Sequence, residues 1–194
     1  MILIIVENLK RKDITIKVGG KVIKDATVDI SCTNSDLLTC SLTIGNLSGD
    51  GKLGLTIEKE TMQDEDGNYS KRQGFITNTV VDSNGPKIVY VGRENTNSSS
   101  IYATKDDTVK IKFKTEKNNL TSNLTADDIA VYIDGNAVNC DKSLETDVKT
   151  SKIDFELSLK SIDGNGKLSI KIPSNKIIDS VGNGNLEKII SPGI

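Results

Sequence analysis

A chain without histidine must do any proton transfer or nucleophilic attack with carboxylates, lysine, tyrosine or cysteine. The acids are plentiful, 27 Asp and Glu, but they cluster where turns are written rather than in facing pairs. A two-carboxylate glycosidase needs acids opposed across a cleft. No spacing marks such a pair, so the chain is expected to be non-catalytic. "QDEDGN" (63–68) gathers Asp64, Glu65, Asp66 and Asn68, the hard oxygen donors that calcium prefers. It is too short for an EF-hand loop and lacks the distal Glu, so it reads first as a solvated turn with Gly67 at positive φ. A second donor set is spread over three segments: Asp82 and Asn84 in "DSNGP", Asp127 in "NLTADD", and Asp179 and Asn183 in "IDSVGN". These could share one calcium ion only if the fold gathers them. Cysteine offers less. There are three, Cys32, Cys40 and Cys140. Cys32 and Cys40 flank "TNSDLLT" and could bridge a hairpin, or all three could be small buried apolar residues. No Cys-x-x-Cys or Cys/His cluster exists, which removes zinc fingers and thioredoxin-like chemistry.

The elements that would position these residues are strands. "DITIKV" (13–18), "TVKIKFKT" (108–115), "DIAVYI" (128–133), "IDFELSLK" (153–160) and "KLSIKI" (167–172) alternate apolar and polar residues. Period two buries one face of a strand. Between them lie "VGGK", "SGDG", "SNGP", "IDGN", "DGNG" and "VGNGN", rich in residues that tolerate φ > 0. No stretch of ten residues shows a capped helical period; "NLTSNLTADD" has room for a helical turn at most. Short strands with Gly and Asn turns predict an all-β sandwich. "IDGN" and "VGGK" need no role beyond hairpin turns.

The chain also repeats itself. Shifted by 115, Asp13 falls on Asp128, Gly20 on Gly135, Leu42 on Leu157, Gly49 and Gly51 on Gly164 and Gly166, and Asp64, Gly67 and Asn68 on Asp179, Gly182 and Asn183. Identities at turns and at inward strand positions mark a duplicated domain. The predicted units are 1–82 and 86–194, joined by a linker at 83–86 that ends in Pro86, where a missing N–H costs no ladder bond. Unit two has room for seven strands, near 86–91, 108–115, 128–133, 137–145, 152–160, 167–172 and 186–190. In unit one "MILIIV" is expected to correspond to the second of these, leaving the first strand absent.

Composition narrows the function classes. Net charge is −2 and the charges are interspersed, so the basic stripe of a nucleic-acid binder is missing. No apolar run approaches membrane-spanning length. "MILIIV" is too short for the apolar core of a signal peptide, and the chain is expected to be a fragment of a longer protein. Aromatics are 4% with no Trp, which argues against a flat sugar-binding platform; the rings available are Tyr69, Tyr90, Tyr102, Tyr132, Phe75, Phe113 and Phe155. The polar tracts 94–100 and 117–123 are long loops, where binding usually resides on a rigid sandwich, but they read first as merely solvated.

"DSNGPKI" resembles the D-x-x-x-P joint between bacterial immunoglobulin-like repeats, and "GNGKLSIKIPSNKIIDSVGNGN" resembles the G-x-G-x-L-x-L-x-I-P-x-x-x-I-x-D-x-x-G-N stretch of the same repeats. Unit two matches throughout. Unit one keeps "GDGKLGLTI" and "DEDGN" but has Ile57-Glu58 in place of Ile-Pro. The resemblance implies two tandem immunoglobulin-like sandwiches, the first lacking its N-terminal strand. It further implies a spacer or adhesive module of a bacterial cell-surface protein, extracellular, with neighbouring repeats as partners and a host protein, matrix protein or glycan as ligand. A carbohydrate-binding sandwich is the alternative. In such a sandwich the loops after strands two and six lie beside the linker, which is how Asp82, Asn84, Asp127, Asp179 and Asn183 would converge on calcium at the joint; the favoured alternative is that these residues simply hydrate a flexible hinge.

Overall fold

The computed structural model describes residues 4–5, 9–34, 38–64, 66–95 and 106–193. Among these, every regular element is a strand apart from one 3-10 turn, Arg11–Asp13, and every strand pairing is antiparallel. The chain divides into two compact units, 1–84 and 85–194.

Unit 1 contains β1 (Ile4–Ile5), β2 (Ile14–Val18), β3 (Lys21–Val22), β4 (Thr27–Asn34), β5 (Leu38–Gly45), β6 (Asp50–Ile57), β7 (Gln63–Asp64) and β8 (Gln73–Asp82). They form a four-stranded sheet in the order β3-β2-β6-β8, the hairpin β4-β5 and the short pair β1-β7. Ile14, Ile16, Val18, Ala26 and Leu53 are buried between sheet and hairpin, with Val28, Ile30, Leu42 and Ile44 partly covered against them. Alternation puts them there: β2 reads buried at every second residue.

Unit 2 contains β9 (Ile88–Asn95), β10 (Val109–Glu116), β11 (Thr121–Ser122), β12 (Ala130–Ile133), β13 (Asn136–Ala137), β14 (Asp141–Lys149), β15 (Lys152–Lys160), β16 (Leu168–Ile172), β17 (Ile177–Ile178) and β18 (Lys188–Ile190). Sheets β14-β15-β10-β9 and β13-β12-β16-β18 face each other as a sandwich. Its core is larger than that of unit 1, with Ile111, Leu157, Leu159, Ile170 and Ile172 all at 0% exposure. Phe113 and Phe155, directly opposite across β10 and β15, stack with centroids 4.9 Å apart.

The two units repeat the same frame. β1-β7 matches β11-β17, and β3-β2-β6-β8 matches β13-β12-β16-β18. Turn bonds repeat too: Gly19 N–H to Lys52 O corresponds to Asp134 N–H to Lys167 O, and Asp64 N–H to Asn68 O to Asp179 N–H to Asn183 O. At one turn the glycine is obligatory. Gly166 sits at φ 144, and a Cβ there would lie 2.8 Å from Ile133 Cγ2 and closer still to the Asp134 carboxylate.

Three details depart from expectation. The single strand expected at 137–145 is two elements: β13 closes a hairpin on β12, and the chain then changes sheet before β14 begins. The turn at 126–128 within "NLTSNLTADD" follows a short strand, β11, that pairs with β17. Two-residue strands carry no periodic signal. Finally, Ile4–Ile5 pair with β7 as β11 pairs with β17. So the N-terminal segment matches β11, which comes after the second strand of unit 2, and not that second strand itself. Among the described residues unit 1 therefore has counterparts of neither β9 nor β10.

Candidate functional site

The turns that begin at Asp64 and Asp179 hold two of the acids singled out above, and both are built the same way. Asp179 Oδ1 accepts from the N–H groups of Val181 (3.1 Å) and Asn183 (2.9 Å). Its Oδ2 accepts from Asn183 Nδ2 (3.2 Å) and from the Lys117 ammonium (2.6 Å). The side chain is 1% exposed. Burial by itself pushes this carboxyl up; Lys117 and the donors of Asn183 and Val181 outweigh it and hold the group down at about 2. Asp64 does the same work in unit 1. Its Oδ1 accepts from Asp66 and Asn68 N–H and its Oδ2 from Asn68 Nδ2. Asn68, then its backbone N–H, lowers the Asp64 carboxyl below the usual carboxylate range. Gly67 and Gly182 take positive φ, 83° and 94°, so "DEDGN" and "DSVGN" are one Asp-organised turn written twice. Glu65 lies outside the described residues.

The five residues considered for calcium are distributed unequally. Asp179 and Asn183 are hydrogen-bonded to each other. Asp127 is exposed in the turn at 126–128. Its neighbour Asp128 accepts from Thr125 and pairs with Lys176 at 2.6 Å, which holds that carboxyl at about 2. Asp82 closes β8, and Asn84 donates its N–H to Asp50 Oδ1 in unit 1. Each Asp179 oxygen already accepts two donors, and the Lys117 ammonium on Oδ2 supplies the neutralisation a metal ion would otherwise bring. Among the described residues no group of three or more Cys, Asp, Glu or His is placed to hold a metal ion.

The Lys117–Asp179 pair makes stability depend on pH. Its folded carboxyl titrates at about 2 against an ordinary 3.8, so its contribution is complete above pH ~4 and is lost as pH falls toward ~2. Asp179→Asn is expected to lower the stability of unit 2 by about 2 kcal/mol at pH 7, a difference that vanishes near pH ~2. Urea unfolding at several pH values measures this; an unchanged gap at low pH would refute the assignment.

A residue that the motif reading passed over carries more. Asn185 is 1% exposed. Its Oδ1 accepts from Lys176 and Ile177 N–H at 2.9 and 2.8 Å, and its Nδ2 donates to Pro173 O and Leu186 O, each at 2.8 Å. In unit 1 Ser70 Oγ takes the corresponding place, accepting from Thr61 and Met62 N–H at 3.2 and 3.1 Å.

Other reactive groups take structural roles. The outer face of β10 and β15 is an ion-pair ladder: Lys110 and Lys112 with Glu156, Lys112 with Glu94, and Lys149 and Lys152 with Asp154. Asp154, then Asp147, pushes the Lys149 ammonium up to about 12. Cys32 and Cys40 face each other across β4 and β5 with Cα atoms 4.1 Å apart and form a disulfide. Burial pushes the half-buried Cys140 thiol up, away from nucleophilic thiolate.

Among the described residues open surfaces lie on both units; on unit 2 a groove of about 460 Å³ crosses the outer face of β10, β14 and β15, beside Val91 and Thr146, and unit 1 carries two more. A groove of about 580 Å³ crosses the outer face of β2, β6 and β8 over Gly54 and Gly74, with Lys17 and Lys52 on its rim and Ile76 on its wall. The second is the inner face of β6 and β8 beyond the β4-β5 hairpin, where Phe75 is 46% exposed. Among the described residues, Tyr69 follows β7 and Phe75 is on β8 in unit 1, and Tyr90 is exposed on β9 and Tyr132 half-buried on β12 in unit 2, while Phe113 and Phe155 are core; Tyr102 lies outside the described residues. No family model, curated protein or solved structure matches this chain.

Proposed function

We propose that the chain is a non-catalytic structural module, with spacer or adhesive duty, of a bacterial cell-surface protein. The observation that supports this reading is the repeated frame: two units reproduce the same turns and strand order, the economy of a stalk built from copies. The carboxylates and lysines described above are spent on turns and on a surface ladder, consistent with a body that resists unfolding and turns nothing over. A second reading, a carbohydrate-binding sandwich, draws on the groove over Gly54 and Gly74, which lacks the flat rings that sugar platforms use.

Two measurements on the whole purified chain test this. Stretched end to end, it is expected to unfold in two separate steps, one per unit. On glycan and matrix-protein arrays it is expected to bind protein or nothing. Glycan retention abolished by Ile76→Asp would replace the proposal with the carbohydrate reading, and turnover of any glycan or peptide would end it.

A further inference from the structure

The outer face of the β3-β2-β6-β8 sheet has two glycines where its copy in unit 2 carries side chains. Gly54 of β6 stands between Lys17 and Ile76, and Gly74 of β8 stands opposite Thr56. Lys17 lies between the buried Ile16 and Val18, so this row points away from the core. With no side chain on either glycine, the floor drops between the Lys17 stem and Ile76 and leaves the groove of about 580 Å³. In unit 2 the same registers put Ser169 opposite Tyr132 and Ile189 opposite Lys171. Glycine is a poor strand residue, and inside a strand it often marks a close approach by a ligand or another backbone. The fold itself asks for little at Gly74: its φ is not positive, and a Cβ there would meet only Thr56 Oγ1, at 3.9 Å. Nor does a covering strand decide the exposure. In unit 2, β9 and β10 belong to the opposite sheet, and Ile189 on the outer face is still 59% exposed, as Ile76 is 78% exposed here. The charge of the groove is one-sided. Lys17 and Lys52 stand on its rim and no Asp or Glu lines it. Among the described residues neither ammonium has a carboxylate partner, whereas Lys110, Lys112 and Lys149 on the outer face of unit 2 each have one.

We propose that this groove docks an acidic, extended segment of a partner polypeptide. This occupant rests on the adhesive reading above and gives it a partner chemistry. The size is within that of clefts that enclose small ligands. An apolar side chain of the partner fills the space over Gly54 and Gly74, against Ile76 and the methylene stem of Lys17. Lys52 lies two residues from Gly54 along β6. Alternate residues of an extended segment share one face, so a segment running along β6 with an apolar residue over Gly54 brings the residue two places along to Lys52. A carboxylate there meets an unpaired ammonium, with Lys17 as the second cation. The partner therefore carries Leu or Ile two residues from Asp or Glu. A sugar fits less well. Thr56 and the two ammoniums are the side-chain hydrogen-bonding groups of the lining, few for a face of hydroxyls, and Phe75 stands opposite Leu55 on the core side of the sheet.

The test uses the full chain and a short labelled peptide repeating Leu-Thr-Asp-Thr, with control peptides that carry Ser or Lys in place of Asp. Saturable one-to-one binding of the Asp peptide is expected, weakening as salt rises. Gly74→Val should weaken it by about tenfold or more without destabilising unit 1, because a β-branched residue suits a strand and Ile189 already stands at this place in unit 2. Lys17→Gln combined with Lys52→Gln should weaken binding and flatten its salt dependence. Failure to saturate by about 1 mM peptide, or equal binding by Gly74→Val, overturns the site. Equal binding of the Ser or Lys peptide overturns the acidic partner, and displacement of the Asp peptide by a neutral glycan would assign the groove to a sugar and overturn it too. Unfolding under force is read separately, so loss of this site leaves the stalk reading standing, and failure of that reading shows in the force curve alone.

Discussion

Phe155→Ala is expected to lower the stability of unit 2 by about 3–5 kcal/mol, the usual range for emptying an aromatic site in a packed core. Phe155 is 2% exposed and stacks on Phe113, itself 1% exposed, at an interplanar angle of 13°. The pair sits in the middle of the β10–β15 register, flanked on the same face by Ile153 and Leu157, both 0% exposed. Backbone pairing on both sides of β15 leaves the strand little freedom to collapse into the hole. Urea unfolding of the full chain, followed by amide exchange to assign each transition, reads the change. Unit 1, with the smaller core, is expected to melt first and at an unshifted midpoint. A loss below about 1 kcal/mol would mean that the stack is loosely held.

The second large effect concerns Asn185. Asn185→Ala should cost about 3 kcal/mol, because it strands two buried N–H donors and two carbonyl acceptors at once. Ser70→Ala, at the corresponding place in unit 1, removes one acceptor from two N–H groups and should cost about 1 kcal/mol. Equal losses would show that Asn185 is not the anchor of its loop. The comparison also separates hydrogen bonding from turn strain, since Glu60 and Asn175 hold nearly the same positive φ in the two loops, 62° and 59°.

Much of this fold is legible in the sequence, and the reasons differ by element. β10 and β15 alternate without exception, so the period alone places Val109, Ile111, Leu157 and Leu159 inside. The repeated "DxxGN" turns are legible because a carboxylate and a positive-φ glycine at fixed spacing dictate one local geometry. β11 and β17 are not legible: two residues cannot express a period, and those strands exist because tertiary pairing holds them, whereas β13 is announced by the "IDGN" hairpin turn that returns it to β12. Asn185 lies within a quoted motif, yet its partners come from positions 173, 176, 177 and 186, a set that only the closed loop defines. The exposure of the inner face of unit 1 is hidden for the opposite reason. Leu42, Ile44 and Leu55 alternate as core residues do, and nothing in their own segments tells that they are only half-buried.

The Cys32–Cys40 rung also bears on how the protein can be made. At the place where β15 carries Phe155, β5 carries Cys40, so a covalent tie stands where unit 2 uses an aromatic. Thiols are kept reduced in most cytosols, and material produced there starts with all three cysteines free. Such a preparation and one folded under oxidising conditions are two different reagents. They share a sequence but differ in whether the β4-β5 hairpin is stapled, and a preparation of mixed oxidation state would give blurred unfolding curves for unit 1 while those for unit 2 stay sharp.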